Sequence, residues 1–293
     1  MVNVIGPSDF DMGQPLSSPA SAARDRYDVK GLVRGLYADG IIACKAAFSR
    51  EWAAQMADDI SVAFEEARGR EGGTVGRGPH RYYVEIHPEQ LRGFTDLVTH
   101  PWVTAVCEAV LGPGYSFVEV GFDVPFPGAQ NQPWHRDFPS PRETWDERRL
   151  TSLAFNLTAV DVIPEMGPFE IAVGTQFKRG EHFNHGMFPP ENEWPRYASL
   201  GQLKLPQLGD ISARSALTIH RGTANRSHVA RPVLILGADA PGPHEARHDM
   251  HVSRAFYDTL PDYARHHLLA TVVDRLEPVV QKHSIEGLVM GAP

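Results

Sequence analysis

The residues best suited to chemistry lie in Gln132-Pro133-Trp134-His135-Arg136-Asp137. In an extended strand, residues i and i+2 project to one face, so the imidazole of His135 and the carboxylate of Asp137 can converge on one ion. Two neutral imidazoles and one carboxylate on a single face make the donor set of a non-haem Fe(II) oxygenase, leaving coordination positions for a cosubstrate and O2. A third donor must come from elsewhere in the chain. By itself His-x-Asp carries little information, because with 14 histidines chance supplies roughly one such pair. His-Arg-Asp also opens a protein-kinase catalytic loop. That loop requires an Asn where this chain has Arg142, and no kinase glycine-rich loop, Val-Ala-Ile-Lys strand or Asp-Phe-Gly accompanies it.

The third donor is expected in Thr218-Ile219-His220-Arg221-Gly222, where His220 ends an apolar run. A polar turn through Asn225, Ser227 and His228 then leads to a second apolar strand headed by Arg231. Strand, turn and return strand bring Arg231 back beside His220. A dicarboxylic keto acid that chelates iron through one end leaves a distal carboxylate, and a planar, permanently charged, bidentate Arg suits it where Lys would not. His182 and His185 form a further His-x-x-His pair that would bind zinc if helical. The preferred reading of their segment, from Phe177 to the Pro-rich Phe188-Pro189-Pro190, is a lid loop.

Around these residues the chain reads as mainly β with flanking helices. Residues 1–25 are rich in Pro, Ser, Gly and Ala and are expected to form a mobile tail, with a single domain over 26–293. Gly31-Leu32-Val33 and Gly40-Ile41-Ile42-Ala43-Cys44 read as short buried strands. Behind Ser49, Trp52, Met56, Ile60 and Phe64 recur at helical spacing up to Gly69. Pro101 opens a second helix closed by Gly112. Strands are expected at Phe117–Val124, across the His-x-Asp segment itself, and at Leu150–Ala159, Phe169–Val173, Ala216–Ile219 and Val233–Leu236. Many short strands without crossover helices point to a double-stranded β-helix, a jelly roll of about residues 115–240, rather than a Rossmann sheet. Residues 254–283 read as a helix on the outside of the sheet or at a dimer contact, with a cap over the substrate mouth as the alternative, and Gly287-Leu288-Val289-Met290 as an apolar tail or part of that cap. Arg77, Arg81 and Tyr83, after a glycine-rich loop, and Phe138 beside Asp137 are candidate contacts to a small-molecule substrate.

Composition narrows the partners. A net charge of -8 and the lack of any Lys/Arg run argue against nucleic acid or a polybasic membrane patch. Cys44 and Cys107 are too few for a disulfide framework, and the first residues carry neither a signal peptide nor an anchor, so a cytoplasmic enzyme is expected.

Taken together, Gln132 to Asp137, Met166-Gly167-Pro168-Phe169-Glu170-Ile171-Ala172-Val173-Gly174-Thr175, and His220 with Asn225, Ser227 and Arg231 resemble the phytanoyl-CoA dioxygenase (PhyH-like) family of Fe(II)/2-oxoglutarate oxygenases. Asp39-Gly40-Ile41-Ile42 to Phe48-Ser49 is similar to that family's opening segment. The resemblance implies His135, Asp137 and His220 as iron ligands, Arg231 as the partner of the 2-oxoglutarate distal carboxylate, and Gln132 as a cosubstrate contact. It also implies O2 as co-reactant, succinate and CO2 as coproducts, and hydroxylation as the outcome, with desaturation, cyclisation or epoxidation open at the same ligands. Asp137 speaks against halogenation, since similar halogenases carry a small residue there. This chain departs at Val173-Gly174-Thr175-Gln176, where relatives often read Pro-Gly-Ser-His, and at Gly222, where some carry Ser. Two rivals remain at this point: a non-catalytic binding protein on the same frame, and a cupin-like zinc or manganese enzyme with no use for Arg231.

Overall fold

The computed structural model describes residues 3–5, 26–242 and 250–281. The chain runs β1 (Asn3–Ile5), α1 (Val29–Asp39), β2 (Ile41–Cys44), α2 (Arg50–Arg68), β3 (Val75–Gly76), β4 (Arg81–Glu85), α3 (Phe94–Val98), α4 (Pro101–Leu111) and β5 (Ser116–Pro125). It continues through α5 (Arg142–Asp146), β6 (Ser152–Thr158), β7 (Phe169–Ala172), α6 (Trp194–Leu200), β8 (Gly201–Lys204), β9 (Ile211–Ser215), β10 (His220–Gly222) and β11 (Val233–Asp239). The described part ends with β12 (His251–Ser253), α7 (Arg254–Thr259), α8 (Asp262–His266) and β13 (Ala270–Val273).

Two sheets form a double-stranded β-helix. The major sheet has the order β2-β9-β6-β11-β5-β4-β3, and the minor sheet β10-β7-β8. The pairings within both are antiparallel. Period-two alternation divides the major sheet into two chemistries. Val120, Phe122 and Val124 of β5, Leu153, Phe155 and Leu157 of β6, and Leu234, Leu236 and Ala238 of β11 are buried in the core. They lie with Met56, Ile60 and Phe64 of α2 and Trp102, Val103 and Val106 of α4. The alternate residues, Glu119 and Asp123 of β5, Asn156 and Thr158 of β6, and Ile235, Gly237 and Asp239 of β11, line a cavity of about 370 Å³. A smaller apolar cluster of Trp134, Ala172, Phe183, Tyr197 and Ile219 lies on the minor-sheet side.

Several expectations need correction. Gly31-Leu32-Val33 lies in a helix, not a strand: the Asp28 side chain accepts from Gly31 N at 2.9 Å and starts α1. That helix ends at Gly40, whose φ of +80° and crowding against Thr218 leave no room for a side chain. The apolar run Ala216–Ile219 is not a strand but the fully buried corner where the chain crosses from the major to the minor sheet, with Thr218 N bonded to Ser215 O at 3.1 Å. His220 therefore begins a strand, and β9, with its small and polar Ser212, Ala213 and Arg214, carried no apolar signal. The His-x-Asp segment is not a regular strand. His135 and His220 form an isolated bridge, each backbone N–H bonded to the other's carbonyl at 2.9 and 2.8 Å. The stretch expected as an outer helix at 254–283 divides into α7, α8 and β13, the last pairing with β1 and β12. Asn3–Ile5 is accordingly a strand within the stretch read as a tail; the rest of that tail, and Gly287–Met290, lie outside the described residues. Among the described residues no helix is long and apolar enough to cross a membrane.

Candidate metal centre

The ligand atoms of His135, Asp137 and His220 lie within 4.8 Å of one another. The bridge between His135 and His220 sets this geometry: it puts their rings 4.4 Å apart, while Asp137 N donates to Ala216 O at 3.0 Å. Each imidazole has its outer nitrogen engaged, His135 Nδ1 on Pro133 O and His220 Nδ1 on Thr218 O, both at 2.8 Å. A carbonyl can only accept, so both Nδ1 atoms carry the proton and both Nε2 atoms present lone pairs. Burial, together with the neighbouring His220, pushes the His135 pKa well below its ordinary value. Burial and the Arg214 guanidinium lower His220. Both rings are thus neutral and ready to ligate at neutral pH.

Asp137 is held by its other side. Arg214 Nη1 donates to Oδ2 at 2.6 Å, while Oδ1 sits 3.3 Å from His220 Nε2. Burial alone would raise this carboxyl, but Arg214 and His220 outweigh it and hold it well below the usual carboxylate range. Two neutral imidazoles and one ionised carboxylate, with one carboxylate oxygen tied back, fit a divalent iron and leave positions open.

The same cavity holds the other candidates. Arg231 lines the same cavity as His220, from the other sheet. It precedes β11 of the major sheet and faces the cavity across from β10 of the minor one. Its Nε donates to Gly167 O at 3.0 Å. Burial and the charge of Arg81 lower its pKa to about 10, so it is a cation at neutral pH. Gln132 lines the cavity and accepts from Gly222 N at 2.9 Å, which staples the segment before His135 to β10. Arg77, Tyr83 and Phe138 line it too, with Arg77 stacked 4.9 Å from the Tyr83 ring centroid. Tyr83 donates to Glu119, and burial and that carboxylate push its phenol well up. Arg81 lines the cavity as well, with its side chain 1% exposed and paired with Asp123.

The segment after Phe177 brings Met187 and Phe188 to the cavity wall. It is pinned by Arg136, the residue between the two donors. Arg136 is 1% exposed and donates from Nε to Gly186 O, from Nη1 to Lys178 O and from Nη2 to Arg179 O, at 2.7 to 2.9 Å. His182 bonds Glu193 instead of a metal, and among the described residues His135, Asp137 and His220 form the one metal-competent group. Arg214 and Asp123 escaped the sequence reading. Asp123 left a trace in the polar alternation Glu119, Gly121, Asp123 within an otherwise apolar strand, which marks an inward polar face, whereas Arg214 left none.

A jelly roll carrying two histidines and one carboxylate at its mouth defines the class of non-haem iron enzymes. Residues 36–233, about two thirds of the chain, match the phytanoyl-CoA dioxygenase (PhyH) family. The chain belongs to that family, and it is an Fe(II)/2-oxoglutarate-dependent dioxygenase. Among solved structures it is similar in fold to the non-heme alpha-ketoglutarate-dependent carbocyclase SnoK from nogalamycin biosynthesis, with 18% identity, a TM-score of 0.58, and coverage of 78% of this chain and 87% of that one. AviO1 from Streptomyces viridochromogenes Tue57 gives 17%, 0.54, 73% and 96%. EctD from S. alaskensis, solved with 2-oxoglutarate and 5-hydroxyectoine, gives 14%, 0.56, 82% and 84%. No curated protein sequence matches the chain.

Proposed function

We propose that this enzyme hydroxylates a small molecule bound in the cavity, with His135, Asp137 and His220 holding the iron and Arg231 holding the far carboxylate of 2-oxoglutarate. The observation that carries the reading is the convergence of three donor atoms within 4.8 Å on a cavity that is also lined by a buried arginine, Arg231, held through Nε by Gly167 O and with Nη2 3.9 Å from Asp123. When bound, iron supplies the O2-dependent oxidation coupled to conversion of 2-oxoglutarate to succinate and CO2.

The chain's own residues do the rest. Pro133 O and Thr218 O fix the two imidazole tautomers, and Arg214 holds Asp137 by one oxygen so that the other faces the donor pair. Arg231 is sufficiently buried to bind a carboxylate in a medium where a charge pair is strong. Gln132 braces the two donor segments, and its position in the cavity wall supports reading it as a cosubstrate contact. Phe138, Met187 and Phe188 supply apolar wall, and Arg77 and Tyr83 a polar one, for a substrate of small-molecule size.

The test is an anaerobic titration of metal-free protein with Fe(II) and 2-oxoglutarate, following the visible charge-transfer band of the chelate. The expected result is a band in the wild type that requires at least about tenfold more 2-oxoglutarate in Arg231→Ala, the scale of one charged hydrogen-bonded contact. Folded wild-type protein with no band would sink the oxygenase assignment of these residues. A band equally easy to form in the variant would remove Arg231 from the site.

A further inference from the structure

Two guanidinium groups and one carboxylate meet in the wall of the cavity. Arg81 Nη1 donates to Asp123 Oδ2 at 2.9 Å, and Arg231 Nη2 stands 3.9 Å from that same oxygen, beyond hydrogen-bond reach. All three side chains are largely out of water, with exposures of 1%, 5% and 15% for Arg81, Arg231 and Asp123. Arg81 is further fixed by Nη2 on Thr223 O at 3.0 Å. Its Nε is buried without a partner among the described residues. The three side chains together carry one net positive charge in a poorly solvated place, a condition that favours an incoming anion.

We propose that Arg81 is a positioning residue for the cosubstrate: by occupying Asp123 it prevents that carboxylate from closing on Arg231, and so keeps Arg231 available to the distal carboxylate of 2-oxoglutarate. The inference rests on the reading of Arg231 given above. Without Arg81, Asp123 and Arg231 would form a neutral pair, and the cosubstrate would have to displace one carboxylate with another. Gly222 belongs to the same device. A Cβ at this position would run into the Arg81 guanidinium, so the glycine that ends the His220 strand is the space in which Arg81 lies. Arg81 reaches it from β4, on the far side of β5 from β11.

The experiment is calorimetric titration of Mn(II)-loaded protein with 2-oxoglutarate, in wild type, Arg81→Met, Asp123→Asn and the double variant, with thermal melts to verify folding. Arg81→Met is expected to weaken 2-oxoglutarate at least tenfold. Asp123→Asn should bind at least as tightly as wild type, and adding it to Arg81→Met should bring affinity back to within about threefold of wild type, a coupling that packing alone does not produce. Should Arg81→Met fail to fold, Gly222→Ser displaces the same guanidinium and is expected to show the same loss and the same rescue by Asp123→Asn. Unchanged affinity in folded Arg81→Met or Gly222→Ser overturns the inference, as does a loss that Asp123→Asn leaves in place. Absence of 2-oxoglutarate binding in wild type overturns the reading of Arg231 and this inference with it. That outcome is distinct from wild type and variants binding equally well.

Discussion

Replacing Arg136 by Met tests whether the cavity wall at Met187 and Phe188 is latched to the donor segment. The wild-type side chain makes three hydrogen bonds to the carbonyls of Lys178, Arg179 and Gly186, all at 2.9 Å or less, and its guanidinium also lies 5.0 Å from the Phe183 ring. Hydrogen bonds to a charged group contribute about 1.5–3 kcal/mol each. Against their sum stands the several kcal/mol of desolvating a guanidinium, the same burial that lowers its pKa to about 10. The difference leaves a net latch of about 2–4 kcal/mol. Because the three carbonyls regain water only when the segment swings out, the loss falls on local opening. The opening equilibrium should rise by roughly thirty- to a thousandfold. Hydrogen exchange read by mass spectrometry reports it directly, with Asn184, Gly186 and Met187 as the amides to follow. Their hydrogen bonds, Asn184 to Phe188 O, Gly186 to Phe183 O and Met187 to Asn184 O, close the turns of the segment that Arg136 ties together at Lys178–Arg179 and Gly186, so opening of the segment loosens them. Arg136→Lys keeps the charge but not the three-way fork and should fall between the two. Unchanged exchange at 178–188 in a folded Arg136→Met protein would refute the latch. A uniform rise across the whole chain would refute its locality.

Three further outcomes follow from burial and charge. His267 is stacked on Tyr115 with centroids 4.0 Å apart and donates from Nδ1 to Tyr115 O, and burial depresses its pKa to about 4. A depressed histidine takes up its proton more readily when unfolded, so stability should fall as pH drops from about 6.5 towards 4, by about 3 kcal/mol in total. Denaturant unfolding across that range in wild type and His267→Phe should show a shallower decline in the variant, and parallel profiles would exclude this histidine as the source. Trp102→Ala, at a side chain 1% exposed against Phe155, should lower stability by about 3–5 kcal/mol in denaturant melts, and a loss below 1 kcal/mol would contradict the placement of α4 on the major sheet. Gly40→Ala forces a side chain onto φ +80° and into Thr218, and a melting temperature lowered by several degrees is expected, with no change meaning the α1 terminus relaxes freely.

The parts of this molecule that were legible in the sequence are those whose information is one-dimensional. His135 and Asp137 announce themselves by spacing, and His220 and Arg231 by the apolar runs next to them. Helix α2 is readable because Ser49 caps it, accepting from Trp52 N at 3.1 Å, and because its apolar stripe has one period. What was not legible depends on tertiary neighbours. Leu32 and Leu36 look the same in a strand as in a helix until Asp28 is seen to cap one. The buried corner Ala216–Ile219 is apolar because it is enclosed, which is also how a central strand looks. Arg214 and Asp123 are single charges in strands, and only the fold shows that one leans on Asp137 and the other on Arg81. That Arg81 lines a cavity follows from its position after a loop, but its pairing with Asp123 of the neighbouring strand is visible only once β4 and β5 are side by side.

The two-sided alternation of β5, β6 and β11 has a consequence for how such an enzyme acquires new chemistry. Even-numbered positions of β11, and of β5 from Glu119 to Val124, hold the hydrophobic core, while Glu119, Asp123, Val233, Ile235, Gly237 and Asp239 face the cavity; beyond the register shift at Gly237/Ala238 the parity of β5 reverses, with Phe117 in the core and Val118 on the cavity. The antiparallel register keeps the two sets from exchanging: Gly237 lies opposite Glu119 and Ala154, Ile235 opposite Gly121 and Asn156. Mutations at Glu119, Asn156, Ile235 and Asp239 therefore explore selectivity along an axis nearly orthogonal to foldability. A combinatorial library confined to that lattice should retain far more folded members than one of equal size spread over both faces. In evolutionary terms the strand is a scaffold with a detachable lining, and drift in ligand preference need not wait for compensating repairs behind the sheet.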